Sequence, residues 1–293
     1  MQKFSLKIMI GVFLMTAANL QTASAHEEGA PFSGAIIDPL EVHHAHIENE
    51  QRINFALIDH VVEFEGEEPD QTQSVKDVFT QTLELAWADA SFTYGMEVFI
   101  PFSNEGQEGE DRKYGLGDIT FQPIKYAFLN SPETIISGNI ELTLPTGDES
   151  VGLGADNTKI APHILVDKAW GNWFVGINQA IEFELEKEEN IAYEYKGVLS
   201  YSFINETVDV APSKPNQSIV PQLSVEFLGE AVIDGEGKPE TSILPGINLW
   251  NPESGWSLRL GIQIPLSDAR EGEQVYMIQF GNHFNWGRLF EGG

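Results

Sequence analysis

From Gly255 to Leu266 the chain reads GWSLRLGIQIPL. Trp256, Leu258, Leu260, Ile262, Ile264 and Leu266 alternate with Ser257, Arg259, Gly261 and Gln263. One face is therefore apolar and the other small or polar, the period-two pattern of a strand lying between two unlike environments. A strand of a globular sheet runs about five or six residues, whereas a tilted strand needs about nine to eleven to cross a bilayer. This run has the second length. A long lipocalin strand would read the same way, so the fold is decided by whether the pattern repeats.

It does, on both sides of that stretch. Alternation predicts strands over 50–62, 78–87, 92–102, 118–128, 136–144, 159–167, 173–183, 191–203, 219–227, 242–250, 256–266 and 275–286. In the third, Phe92, Tyr94, Met96, Val98, Ile100 and Phe102 oppose Thr93, Gly95 and Glu97. In the fourth the apolar face changes at Gln122-Pro123, which predicts a bulge there, since proline cannot donate in a ladder. Twelve is an even number, as single-chain bacterial barrels require. The fold expected is all-β: a transmembrane, antiparallel, up-and-down barrel of about twelve strands.

The N-terminus sets the compartment. Lys3 and Lys7 precede an apolar run from Ile8 to Leu20 and then Ala23-Ser24-Ala25, a secretory signal with cleavage expected after Ala25. The run is short for a membrane anchor. No later run could span as a helix, which leaves a closed barrel as the route across lipid. The chain has no cysteine, so disulfides and thiolate metal sites are excluded. Its 16 basic and 45 acidic residues give a net charge of −29; without Lys3 and Lys7 the exported chain has 14 against 45, or −31. Such a chain does not bind nucleic acid through backbone phosphates. The acids are dispersed between apolar strands, unlike a disordered acidic tail. Acidic loops bathed in divalent cations, or a high-salt habitat, fit that charge.

Residues 26–49 form an irregular periplasmic lead-in carrying His43, His44 and His46, followed by the barrel over 50–293. Whether the lead-in enters the lumen is open. With the first strand running outward, the acid-rich connections 63–77, 103–117, 145–158, 184–190, 229–241 and 267–274 fall outside and short turns fall on the periplasmic side. Trp87, Trp170, Trp173, Trp250, Trp256 and Trp286 then all lie at periplasmic strand ends, where amphipathic rings favour the membrane boundary. The connection 204–218 is too long for a periplasmic turn and either is irregular or hides a hairpin.

Four segments, YGLGDITFQPIKYAF (Tyr114 to Phe128), ELTLPTGD (Glu141 to Asp148), VGLGADNTKIAPHIL (Val151 to Leu165) and QFGNHFNW (Gln279 to Trp286), give the chain a further identity: it resembles the meta-pathway phenol-degradation family of outer-membrane barrels. The resemblance spans most of the exported chain. It implies a transporter-like barrel associated with uptake of hydrophobic or aromatic compounds. The HHAH lead-in and the excess of acid depart from the family.

Strand parity directs Arg52, Glu84, Glu97, Glu141, Lys159, His163, Glu182, Glu194, Lys196, Glu226 and Arg259 into the lumen, the face where charge is tolerated. They either line a path or form a salt-bridged filling. His43, His44 and His46 could bind Cu2+, Ni2+ or Zn2+, although adjacent histidines on an exported segment usually face solvent. Asp148 and Asp156 could contact Ca2+. The glycines of GLGD and GLGAD (Gly115, Gly117, Gly152, Gly154) open no helix and are loop glycines rather than a phosphate cradle. No G-x-S-x-G or H-E-x-x-H motif occurs, and neither an enzyme nor a cofactor is expected. The function expected is passage of small, hydrophobic or aromatic compounds through the outer membrane. The alternatives are a closed structural or metal-sequestering barrel and, third, an enzyme acting on lipid.

Overall fold

The computed structural model describes residues 35–65, 72–107, 112–148, 153–154, 157–185, 191–208, 214–234, 238–267 and 274–283. The predicted signal segment, Asp156 and Trp286 lie outside the described residues. The strands are β1 (Glu50–Glu65), β2 (Thr72–Ala88), β3 (Tyr94–Gln107), β4 (Lys113–Leu116), β5 (Ile119–Asn130), β6 (Thr134–Leu144), β7 (Lys159–Trp170), β8 (Trp173–Glu184), β9 (Ile191–Ser202), β10 (Thr207–Val208), β11 (Lys214–Pro215), β12 (Val220–Asp234), β13 (Glu240–Trp250), β14 (Trp256–Pro265) and β15 (Gln274–His283).

Twelve of these form the wall. Each long strand pairs antiparallel with its sequence neighbour, β3 pairs with β2 and β5, and β1 pairs with β15 from Glu50↔His283 to Asp59↔Gln274, closing the ring. Closure leaves no unpaired edge, the condition for backbone in lipid. The predicted strands all exist, but β1, β2, β3 and β12 run several residues further toward the long loops than alternation indicates. Above the lipid a ladder can carry charged side chains on both faces, so the pattern ends before the hydrogen bonds do. The bulge at Gln122-Pro123 is present: register slips between Phe121↔Leu142 and Ile124↔Ile140. Within 204–218, β10 and β11 form a separate two-stranded sheet, and β9 pairs directly with β12. The hairpin therefore adds no wall strand.

The outward face is an apolar belt. Leu223, Val225 and Phe227 on β12, Leu260, Ile262 and Ile264 on β14, and Tyr276, Ile278 and Phe280 on β15 are exposed. Trp87, Trp170 and Trp173 ring the short-turn end, also exposed. Trp250 departs from the tryptophan expectation, because it faces inward and is buried against Ile37 and Val220. The geometry is that of an outer-membrane β-barrel, with hydrocarbon covering what water cannot.

The core lies inside the barrel and is built around residues 35–49. Sequence reasoning read this segment as a periplasmic lead-in and left open whether it enters the lumen; in the structure residues 35–49 thread the lumen as a plug. All four apolar clusters contain a residue of it: Ala35, Ile36, Val42 and Ala45 with Ile135, Leu165, Phe174 and Val198; Ile37 with Trp250; Ile47 with Phe92; and Leu40 with Leu244 and Met277. Each fully buried large side chain contributes about 1.5–3 kcal/mol. The plug enters near the short turns, rises to the level of Glu226 and returns to hydrogen-bond Asn49 Oδ1 to the Ala88 N–H (2.9 Å) before β1 begins.

Candidate lumenal site

An extended segment without a strand partner must find acceptors for its N–H groups elsewhere. Here wall carboxylates supply them. Glu226 on β12 accepts from the N–H groups of Leu40 (2.6 Å), Glu41 (2.9 Å) and Val42 (2.8 Å). Asp167 on β7 accepts from Ala45 (2.8 Å) and His46 (3.3 Å). The amides of Gln222 and Gln279 donate to the Ile37 and Leu40 carbonyls at 3.4 and 2.7 Å. Room for the plug is made by glycine. A Cβ at Gly246 would fall 2.6 Å from Leu40 Cδ1, and one at Gly261 would fall closer still.

Of the charged residues expected to face the lumen, Arg52, Glu84, Glu97, His163, Glu226 and Arg259 are buried, and most of the set are paired. Lys125 reaches Glu97 at 2.7 Å, and Lys159 reaches Glu182 at 2.8 Å and Glu184 at 3.7 Å. Lys196 is paired with Glu194. Glu141 accepts from Gln122 at 2.8 Å and lies 3.9 Å from His43. His163 sits 3.0 Å from Asn178 Oδ1. Arg52 lies 3.4 Å from Glu84 and 3.5 Å from Asp38, and Arg259 binds Asp38 at 2.6 Å and Glu50 at 3.2 Å. Such buried pairs break even only when their remaining hydrogen bonds are made, and here Asp38 of the plug adds a partner for Arg52 and Arg259.

Strand parity put Asp167 and His283 on the polar face without assigning them a role, and sequence reasoning missed Asp38, Glu48, Glu50 and Lys125. Lys125 follows the bulge, and recounting parity from Ile124 turns it inward. Asp38 and Glu48 belong to the irregular segment and carry no wall periodicity at all.

The three predicted metal-ligating histidines separate. The plug is extended here, so alternate side chains point to opposite sides. His44 and His46 face Glu48 and Asp38, while His43 packs edge-on to Phe99 with ring centroids 5.7 Å apart and lies 5.9 Å from His163. Burial lowers His43 and His44 well below the ordinary imidazole range and His46 to about 4. Burial, reinforced by the charge of Asp38, pushes Glu48 up to about 8.

Between the crest of the plug and β1, β2, β3, β5 and β6 lies a cavity of about 330 Å3. Its lining combines apolar groups (Leu40, Phe99, Pro101) with charges of both signs (Arg52, Lys125, Glu97). It is small for a ligand site, with room for one single-ring molecule.

Comparison with solved structures gives the same architecture. An outer-membrane channel from Pseudomonas putida F1 superposes with a TM-score of 0.57 at 14% identity, over 85% of this chain and 100% of that one. The β-domain of the Bordetella autotransporter BrkA gives 0.45 at 9% identity over 81% and 100%, too weak to add to the argument. At such identities the likeness concerns the fold alone. No curated protein matches the sequence. The family model described as "Putative MetA-pathway of phenol degradation" matches residues 66–214, just over half of the 293 residues, and the chain belongs to that family.

Proposed function

We propose that the protein is exported by its N-terminal segment, sits in the outer membrane and passes small solutes, chiefly single-ring aromatic compounds that carry a polar substituent. The observation that supports this is the cavity of about 330 Å3 above the plug. Phe99 and Pro101 offer an apolar surface for a ring, while Lys125 and Arg52 stand opposite Glu84, Glu97 and Glu141 to receive hydroxyl or carboxylate groups. A bare hydrocarbon would displace water from these groups and return no hydrogen bond. Binding is non-covalent and the protein changes no bond of the solute.

Passage from this conformation needs the plug to move, because residues 35–49 fill the short-turn half of the lumen. A barrel kept permanently closed is the second reading, and the hydrogen bonds at Glu226 and Asp167 favour it. Proteoliposomes preloaded with buffer and challenged with 4-hydroxybenzoate or arabinose separate the two. Uptake of the aromatic anion above empty liposomes, faster than that of the sugar, is expected. Uptake of neither, both by the native chain and after Glu226→Ala, would establish the closed barrel.

A further inference from the structure

Along the plug, His44, His46 and Glu48 occupy alternate positions and share a face with Asp38. His44 Nε2 lies 3.2 Å from Asp38 Oδ1 and 3.4 Å from Glu48 Oε1, and His46 Nδ1 lies 3.7 Å from Glu48 Oε2. One ligand atom from each of the four residues falls within a span of 4.8 Å. The longest of them, 3.7 Å, exceeds a hydrogen-bond contact. All three are near the edge of a tetrahedron whose metal bonds are about 2.0–2.2 Å, an edge of roughly 3.3–3.6 Å.

A further observation points to a cation. Glu48 is 8% exposed, and its Oε1, aimed at His44 Nε2, accepts no hydrogen bond among the described residues. An acceptor left bare in a closed space is costly, and a bound ion would supply its partner.

We propose that Asp38, His44, His46 and Glu48 bind one divalent transition-metal ion inside the lumen and that this ion fastens the plug. Two imidazoles and two carboxylates in tetrahedral reach suit Zn2+. All four ligands lie within residues 38–48, so the ion closes the crest of the plug on itself. The wall holds the ligands in place from outside: His283 Nε2 lies 2.7 Å from Glu48 Oε2 and 3.3 Å from Asp38 Oδ2, and Arg259 binds that same Asp38 oxygen. Such outer contacts orient metal-bound carboxylates. The ion enters from the cavity, which His44 lines. His43 takes no part, because it turns toward Glu141 and Phe99.

The test uses the full exported chain without an affinity tag, refolded in detergent, stripped with a chelator and dialysed against Zn2+, with bound metal read by atomic emission. About one Zn2+ per chain is expected. His44→Ala and Glu48→Gln should each weaken binding at least tenfold, and His43→Ala should leave it unchanged. Heat-modifiable migration checks the barrel in each variant. Should His44→Ala fail to fold, the near-isosteric Glu48→Gln decides. No Zn2+ above a protein-free blank, binding untouched by Glu48→Gln, or equal loss in His43→Ala would overturn the site.

Discussion

Strand β12 and the plug segment beside it are both extended chain, yet they are held by opposite means. The backbone of β12 is satisfied by ladders to β9 and β13, a pattern any sequence can form once alternation has set the faces. At residues 40–42 the plug has no strand beside it, and its N–H groups are satisfied by a single β12 side chain, Glu226. The wall is therefore tolerant of side-chain identity so long as polarity alternates. The plug depends on individual residues.

The largest effect should come from removing that one acceptor. Glu226→Ala orphans three N–H groups, each costing about 1–3 kcal/mol when buried, so docking should weaken by roughly 3 kcal/mol or more. Single-channel conductance should rise, and residues 35–49 should become cleavable by proteinase K while the wall stays heat-modifiable. An unchanged digestion pattern would mean that apolar contacts alone hold the plug.

Next comes the wall's own weakness. Leu260→Arg places a charge on the lipid face and should cost about 2–4 kcal/mol, read as a lower urea midpoint for refolding into vesicles. A loss as large as that of Glu226→Ala, with the plug still protected, would sharpen the contrast; a negligible loss would break it. Gly246→Ala sits between the two regions. Its methyl group would press on Leu40, and overpacking of this kind costs about 1–3 kcal/mol. Partial exposure of the plug to protease is expected, with little change in barrel stability.

The smallest effect belongs to the turn before β3. Asp89 accepts from Ser91 Oγ (2.6 Å) and from the N–H groups of Thr93 (2.8 Å) and Tyr94 (2.9 Å). Its slight burial would raise the carboxyl, but these hydrogen bonds outweigh it and hold the group below its ordinary value. A carboxyl lowered in the folded state stabilises above its unfolded pKa of about 3.9 and loses that contribution as pH falls through the folded value. Asp89→Ala should cost about 1 kcal/mol at neutral pH and converge with the native chain in urea unfolding once the pH falls below the ordinary carboxylate range.

Much of the wall was legible because a bilayer imposes its rule on each strand separately. Leu260, Ile262 and Ile264 declare their face without reference to any distant residue, and so does the inward turn of Arg259. The slip at Gln122-Pro123 was readable for the same reason, since both the proline and the change of face are local. The inward apolar residues Leu165, Phe174 and Leu244 were not explained by alternation, because what they bury against is the plug.

The sequence by itself thus determined strand number, the lipid-facing belt and the inward turn of wall charges such as Arg259. Only the tertiary structure decided what those charges meet. Leu40 and Glu226 are 186 positions apart, and nothing in the spacing of either announces the other. HHAH reads as one cluster along the chain. The extended plug divides it, sending His43 toward the cavity wall and His44 and His46 toward Asp38 and Glu48. The physical reason is that alternation records which solvent a side chain faces, whereas docking records which partner fills a closed space, and that partner is chosen by the geometry of the closed barrel.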